Sequence, residues 1–248
     1  MSQALSPIAE HSLQVEVIMT RPTFKLVMLA TAAMVASSPA VSRPPDTWNG
    51  LMKIDSKNMQ AAYLLPNADF RAYTKVLLEP AEVALAKDWL SNYNQSADLG
   101  SRISDSDARA EIVKANARTS QIFANAFQKA GYQVVTSAGA DVVSIKPMIL
   151  NVQVSAPDVM GAGRQYNFSP DAGQATLGLE VRDSVSRQLI GVAADSQIAG
   201  DNSGGLRTSA SNIGDFTDLV ATWAKQTAQG LTKLKAMSPI DAEGQPRR

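Results

Sequence analysis

The sequence of 248 residues contains no cysteine, a single histidine and only 6% aromatic residues. Without thiols the chain can form no disulfide, cysteine nucleophile, zinc–thiolate site or iron–sulfur ligand set. The one histidine, His11, lies near the N-terminus, so a chain that loses this end has no imidazole for catalysis or metal binding. Carboxylate, hydroxyl, amide, lysine and arginine chemistry remains. No catalytic residue, metal site or cofactor is predicted.

The chain also has no excess of charge of either sign, with 23 Lys and Arg against 23 Asp and Glu. A formal net charge of zero provides no overall field that would attract nucleic acid or an anionic membrane surface. Nor do basic and aromatic residues alternate densely enough for binding to single-stranded nucleic acid. We therefore expect no nucleic-acid partner.

Long hydrophobic runs are missing too. The uncharged apolar run Leu26–Ala36 has eleven residues, too few to span a bilayer, and it follows Arg21 and Lys25. Small residues come next, and this order is typical of a secretory signal peptide. We predict a signal peptide at 19–40, cleaved after Ala36 or Ala40, with a buried core helix or an uncleaved anchor as the alternatives. Residues 1–18 are then an extension, which would not be translated if synthesis starts at residue 19.

Composition divides residues 41–248 into a central domain and two end segments. Residues 41–59 are rich in proline and polar residues and are predicted to be an extended lead-in that contacts the body through Trp48. Residues 238–248 have no apolar period and are predicted to be a flexible tail. No internal repeat or long block of one charge is present, so one domain is predicted at 60–237.

Two stretches of this domain have helical periodicity. Ser104 has the spacing of a capping box, an apolar face runs from Ile112 to Ala130, and Gly131 stands where a left-handed residue ends a helix. A second amphipathic helix is predicted from near Asn212 or Asp215 to residue 237.

Strand patterns fill the rest. Residues 74–80 and 82–89 are short apolar runs separated by a proline, which suits strands at a sheet edge or bend. Residues 142–154 alternate imperfectly around Pro147, and 174–183 alternate well and pair with 189–198 through the polar turn Ser184–Arg187. This order predicts an α+β single domain with a mainly antiparallel sheet and two amphipathic helices packed on one face. Parallel winding is disfavoured because the late strands lack crossover helices.

Chemical motifs are few. The loop Gly161–Arg164 has the glycines and the cation of an anion-binding loop, but no helix N-terminus follows it. The segment Gly200–Gly205 resembles the nucleophile loop of a serine protease, but the chain offers no general base for such a serine once His11 is removed. Asp141, Asp183 and Asp195 fall near strand ends, where two carboxyl groups could perform acid–base chemistry. An aspartate in this position is more often a turn residue that accepts hydrogen bonds from its own backbone.

Side chains in loop-like segments are the binding candidates. Aromatic and cationic groups there can contact a ligand or pack on the domain itself. The residues are Trp48, Arg164, Tyr166 and Phe168.

Several short motifs together resemble the bacterial domain-of-unknown-function family 3313. They span roughly residues 48–234 and are Trp48-Asn-Gly-Leu51, Pro66-Asn-Ala-Asp-Phe70, Tyr73-Thr-Lys-Val-Leu-Leu-Glu-Pro80, Asp88-Trp89 and Asp183-Ser184. The resemblance implies an exported envelope protein, often a lipoprotein, and implies no activity. Ser37 and Ser38 stand where a lipoprotein needs a cysteine, so we expect no stable membrane anchor after cleavage and a location in the periplasm or outside the cell.

Two functions are consistent with these features. The first is an exported non-catalytic envelope protein, a binding or interaction module that contacts an envelope protein or another envelope component. The alternative is a hydrolase of an envelope polymer that uses a carboxylate pair such as Asp183 and Asp195, which would have to lie roughly 5–10 Å apart in a cleft. An assembly subunit is a third class and would expose a contiguous apolar patch. The oligomeric state is not predicted.

Overall fold

The computed structural model describes residues 45–155, 167–169, 171–200, 205–207, 209–241 and 244–247. All described residues belong to one compact unit that spans 43–248. The predicted signal peptide therefore lies outside the described residues. No helix within the described ranges is long and apolar enough to cross a bilayer.

The described elements alternate short strands with three α-helices. The strands are β1 Thr47–Trp48, β2 Leu51–Lys53, β3 Ala61–Leu64, β4 Lys75–Leu78, β5 Glu82–Leu85, β6 Gln133–Val135, β7 Val142–Val154, β8 Asn167–Ser169, β9 Gly173–Asp183, β10 Leu189–Ala199 and β11 Gly205–Arg207. The helices are α1 Trp89–Ser96, a 3-10 turn Leu99–Ser101, α2 Asp105–Lys129 and α3 Ser209–Met237.

Nine strands form one mixed sheet in the order β1-β2-β3-β10-β9-β7-β4-β6, with β5 also paired to β7. Strands β8 and β11 form a separate two-stranded sheet. Most pairs are antiparallel, including the β9–β10 hairpin, so the predicted α+β class with a mainly antiparallel sheet is confirmed. The pairs β4–β6, β4–β7 and β5–β7 are parallel. Parallel pairing arises among the early strands, because α2 lies between β4 and β6 and provides the crossover that the late strands lack.

Helix α2 begins and ends as its sequence predicts. Ser104 is the N-cap, and its hydroxyl oxygen accepts a 3.1 Å hydrogen bond from the backbone N–H of Asp107. Gly131 follows the last turn with φ +89°, a conformation that glycine adopts without steric cost. These two signals fix the length of the helix at 25 residues.

The proline in β7 coincides with a change of neighbours. On one side of β7, Ile145 is the last residue paired with β4 and Met148 is the first paired with β5. Pro147, which has no N–H to donate, lies between these two segments and is fully buried. The long strand can therefore contain a proline without losing a pairing to either neighbour.

Alternate residues of the central strands define two faces of the sheet. Val143, Ile145, Leu177 and Leu179 lie in one continuous hydrophobic core with side chains from α2 and α3, and we call this side the covered face. Phe123 and Phe127 of α2 and Trp223 of α3 are fully buried in the same core. The intervening residues point the other way, to the open face. There Lys146, Met148, Thr176, Gly178, Glu180 and Val192 are each only half-buried.

Both predicted end segments take part in the fold. In the predicted lead-in, β1 and β2 belong to the sheet and Leu51 is 1% exposed. In the predicted tail, Ile240 is also 1% exposed, and its N–H donates a 3.0 Å bond to the carbonyl oxygen of Ala68. These contacts lie in the segments predicted as the lead-in at 41–59 and the tail at 238–248, whose boundaries stay a prediction. A single apolar residue in a polar segment produces no periodic signal, yet it can fill a core position.

Candidate functional site

Asp183 is a turn residue of the β9–β10 hairpin. Its carboxylate accepts hydrogen bonds from the backbone N–H groups of Val185 and Ser186 at 3.1 and 2.7 Å. The Tyr73 hydroxyl donates to its other oxygen at 3.0 Å. The backbone bond from Ser186, with further help from the Ser186 and Tyr73 hydroxyls, holds the pKa of Asp183 below its ordinary value of 3.8. Burial and the Asp183 carboxylate raise the pKa of Tyr73 to about 12.

Asp195 is buried beneath α3. Only 4% of it is exposed, and one carboxyl oxygen accepts hydrogen bonds from the Trp223 indole N–H at 2.8 Å and from the Gln197 amide at 2.9 Å. The indole bond ties the middle of α3 to β10. A buried polar group with such partners is a fixed part of the core.

The structure separates the two carboxyl groups proposed for hydrolysis. Asp195 pairs across the hairpin with Leu177, and Asp183 lies six residues further along β9, which corresponds to roughly 20 Å. Asp141 at the start of β7 is occupied by Lys75, whose ammonium lies 3.0 Å away and lowers the pKa of this carboxyl. The expectation that Asp183 and Asp195 form a catalytic pair is therefore wrong.

The four predicted binding residues do not form a site within the described residues. Trp48 lies in β1 at the far edge of the sheet and is 40% exposed. Arg164 and Tyr166 lie outside the described residues, as does the glycine loop that precedes Tyr166. Phe168 lies in β8, where its backbone pairs with Leu206 of β11. The role predicted for these residues remains a prediction.

Strand register divides the open face into two regions. Near one end of the central strands, Thr176 lies between Leu150 and Ser196, and Gln174 lies between Gln153 and Ile198. Four residues further along β9, roughly 13 Å away, Glu180 lies between Lys146 and Val192. Ionisable side chains thus occupy one region of this face, and neutral polar side chains occupy the other.

The first region, the charged cluster, consists of three cations and three carboxylates that pair with one another. Its members are Glu79, Glu82, Lys146, Glu180, Arg182 and Arg187. The Arg187 guanidinium lies 2.7 Å from Glu79, the Lys146 ammonium 2.9 Å from Glu82, and the Arg182 guanidinium 3.0 Å from Glu180. Each charge has an opposite partner, so the cluster has no excess charge to attract an ionic ligand.

Hydrogen bonding shifts the pKa of two members of this cluster, Glu79 and Lys146. The hydroxyl of Ser144, 2.7 Å from Glu79, and the neighbouring Arg187 hold the pKa of Glu79 below its ordinary value. The Glu82 carboxylate raises the pKa of Lys146. Both shifts favour the charged forms near neutral pH.

The second region is an open cleft of about 710 Å³ across β7, β9 and β10. We call it the amide cleft, and it is lined chiefly by the neutral side chains of Asn151, Gln153, Gln174, Thr176, Ser196 and Ile198. The Thr176 and Ser196 hydroxyl groups lie 2.8 Å apart and bond to each other. The side-chain amides of Asn151, Gln153 and Gln174 make no hydrogen bond within the described parts of the chain. Their donors and acceptors therefore face solvent.

An interruption in strand pairing shapes the amide cleft. The register between β7 and β9 shifts between Leu150 and Gln153, and Asn151 has φ +53°. An irregularity of this kind changes the direction of side chains near the end of a strand. The polar edge of the cleft thus follows from the backbone of β7.

A smaller concavity of about 560 Å³ lies between α1 and the start of α2. Its walls include Asn94, Arg102 and Asp105. The Asn94 side chain is already used, since it donates to and accepts from the backbone of Ile103 at 2.7 and 2.9 Å. This concavity is explained by the attachment of α1 to the body, and we do not assign it as the site.

The described lining of the amide cleft is neutral and polar. Among the described residues that line it, none carries a carboxylate, ammonium or guanidinium group. The described residues also contain no cluster of three or more His, Asp or Glu side chains that could hold a metal ion. The lining can donate and accept hydrogen bonds and can offer the half-exposed Ile198 for apolar contact.

Sequence reasoning missed this cleft. The polar alternation of β9 was visible, but it did not show that Gln153 and Ile198 come to lie on either side of Gln174. That arrangement depends on the register shift in β7. A set of neutral polar residues at the same end of three predicted strands is the signal that could have indicated it.

Solved structures with a related chain path are distant. The PelC dodecamer from Paraburkholderia phytofirmans is 13% identical over 66% of this chain and 96% of that chain, with a TM-score of 0.32. Protein XCC0632 of family DUF330 from Xanthomonas campestris is 11% identical over 69% and 88%, with a TM-score of 0.34. A putative neuraminyllactose-binding hemagglutinin homolog from Helicobacter pylori is 10% identical over 70% and 90%, with a TM-score of 0.32.

Family comparison is more direct. No curated protein matches the sequence. The model of the family described as "Protein of unknown function (DUF3313)" matches residues 48–227, which is more than half of the chain. This match confirms the resemblance found in the sequence motifs. The chain belongs to the DUF3313 family of proteins of unknown function.

Proposed function

We propose that this chain is an exported, non-catalytic protein of the bacterial envelope that binds an envelope component through the open face of its sheet. The observation that carries this proposal is the amide cleft, in which three exposed side-chain amides have no hydrogen-bond partner among the described residues. By contrast, the carboxylates of Asp195 and Glu79 are bonded within the fold. Unused polar groups gathered in a concavity are available to a ligand.

The position of the cleft in the sheet favours a ligand that is bound by side chains rather than by backbone pairing. Strands β9 and β10 are interior strands with a neighbour on each side, and β7 lies between β9 and the pair β4 and β5. Along the cleft β9 pairs with β7 on one side and with β10 on the other, so a peptide cannot join β9 as an additional strand, whereas β10 pairs with β3 only from Gly191 to Ala194. The separation of Asp183 and Asp195 removes the catalytic pair on which the hydrolase alternative was based.

Export is the second part of the proposal and is supported by the apolar run at 26–36 behind Arg21 and Lys25. Intact-mass analysis of the chain purified from fractionated cells tests it. We expect a periplasmic or released chain that begins after residue 36 or 40. A cytosolic chain that retains residues 1–40 would contradict export.

Site-specific photocrosslinking in intact cells tests binding at the open face. A photoreactive residue at Thr176 should form a crosslinked species with an envelope component. The matched control places the same residue at Val113, which is 67% exposed on α2. Equal crosslinking at both positions, or none at Thr176, would oppose the proposed role of the open face.

A further inference from the structure

The amide cleft also restricts the chemical class of the ligand, an inference that rests on the proposed function. An anionic ligand would gain from a cation, and a cationic ligand from a carboxylate, but the part of the lining that the structure describes contains neither. The cations of the neighbouring charged cluster are already paired with Glu79, Glu82 and Glu180. The charge pattern therefore favours a ligand without net charge.

The hydrogen-bonding pattern indicates many hydroxyl groups on that ligand. Each side-chain amide presents both a donor group and an acceptor oxygen, and each sugar hydroxyl can also donate and accept. Gln153 and Gln174 are cross-strand neighbours, so their two amides lie side by side on one surface. Adjacent hydroxyl groups of a pyranose ring match a pair of amides in this arrangement.

The apolar component fits the same ligand. Ile198 is the cross-strand neighbour of Gln174 on the other side and is 52% exposed. A sugar ring has C–H groups on its faces, and burying them against an isoleucine side chain is favourable. We propose that the amide cleft binds an uncharged polysaccharide chain, with Gln153 and Gln174 bonding ring hydroxyls and Ile198 contacting a ring face.

Side-chain amide signals in nuclear magnetic resonance spectra provide a direct test. The chain purified from cells is titrated with maltohexaose, cellohexaose and hexa-N-acetylchitohexaose, all uncharged. Hexagalacturonate and hexameric chitosan serve as anionic and cationic probes. We expect at least one uncharged hexasaccharide to shift the Gln153 and Gln174 amide signals at millimolar concentration, and neither charged probe to match it.

Paired variants identify the residues responsible. The double substitution Gln153→Ala and Gln174→Ala removes two hydrogen bonds and should weaken binding of the uncharged probe about tenfold or more. Gln133→Ala removes an exposed glutamine from edge strand β6 and should leave binding unchanged. Because these glutamines are exposed, thermal unfolding of all three proteins should coincide, which excludes misfolding as the cause.

The outcomes separate this inference from the function on which it rests. Absence of binding by all three uncharged probes, stronger binding of a charged probe, or equal effects of the cleft and control variants would overturn the polysaccharide assignment. Crosslinking from Thr176 to an envelope protein would overturn it too, while leaving the proposed function in place. A cytosolic, uncleaved chain would reject the proposed function even if the cleft bound a sugar.

Discussion

The two faces of the sheet are built from the same strands but use their polar groups differently. On the covered face, the Asp195 carboxyl is fixed by the Trp223 indole and the Gln197 amide. On the open face, the amides of Gln153 and Gln174 make no hydrogen bond within the described residues. This difference separates polar groups that are satisfied within the fold from polar groups that remain open to a partner. Substitutions on the covered face should therefore lower the free energy of unfolding, and substitutions in the amide cleft should change binding alone.

The largest effect should come from the centre of the covered face. Trp223 is fully buried, so Trp223→Ala leaves a cavity, removes the indole donor from Asp195 and should lower the free energy of unfolding by about 3–5 kcal/mol. Urea denaturation measures this loss. Val113→Ala on the exposed side of α2 is the control and should change it by less than about 0.5 kcal/mol. Similar losses in both variants would remove the distinction between the two faces.

The hydrogen bond beneath α3 should have the next largest effect. Asp195→Ala leaves the Trp223 N–H buried without its acceptor and should cost about 1–3 kcal/mol. Asp195→Asn retains an acceptor oxygen and should cost less. Combining Asp195→Ala with Trp223→Phe should cost less than the sum of the two single changes, because both remove the same bond. Additive losses in a double-mutant cycle would show that the bond contributes little.

The hairpin turn should give a pH-dependent effect of intermediate size. Asp183→Asn cannot accept from Tyr73 as the carboxylate does and should cost about 1–2 kcal/mol at pH 7. Because the folded-state pKa of Asp183 is lowered from 3.8, its contribution is present above that value and disappears as the pH falls through the folded-state pKa. The difference from wild type should shrink in urea denaturation at acid pH. Asp98→Asn, an exposed control, should show neither change.

The charged cluster should contribute only slightly to stability. Arg187 is 54% exposed at its side chain, so Arg187→Gln should lower the free energy of unfolding by less than about 1 kcal/mol. This loss should diminish in concentrated salt, which screens the pair with Glu79. Lys87→Gln, at an exposed lysine with no ion pair in the described structure, should show no salt dependence. If Arg187→Gln instead lowered the free energy of unfolding strongly even in concentrated salt, the charged cluster would serve stability as the covered face does.

The smallest effect on unfolding should come from the amide cleft. Gln174→Ala should change the free energy of unfolding by less than about 0.5 kcal/mol, because its exposed amide has no partner in the described structure. Calorimetry at neutral pH measures this change. A loss comparable to that of Asp195→Ala would show that the residue serves the fold, and the contrast between the two faces would then fail.

Local signals predicted the elements well. The Ser104 cap and Gly131 placed both ends of α2, and the alternation of β9 with the polar turn at 184–187 placed the hairpin. Helix α3 begins at Ser209, a few residues before its predicted start. These features depend on residues close in sequence, so periodicity and turn chemistry are sufficient to find them.

Non-local features escaped prediction. The parallel pairing of β4 with β6 and β7 requires knowledge of where α2 returns the chain. The burial of Ile240 depends on a contact with Ala68, more than 170 residues away. The amide cleft depends on three strands and one register shift, and Asp195 looked like a strand-end residue until Trp223 was placed above it. Each of these features joins residues that are far apart in the sequence, so a short stretch of sequence cannot reveal it.

The bond between Trp223 and Asp195 has a practical consequence for detecting ligands. Gln197 lines the cleft and donates to the same Asp195 oxygen that accepts from the indole. The Gln197 amide lies with Asp195 on the covered side, so a ligand on the open face would alter the electrostatic surroundings of this buried chromophore by displacing β10. The chain contains three tryptophans, so replacing Trp48 and Trp89 with phenylalanine leaves one source of indole emission. The wavelength of that emission then reports occupancy without any attached dye.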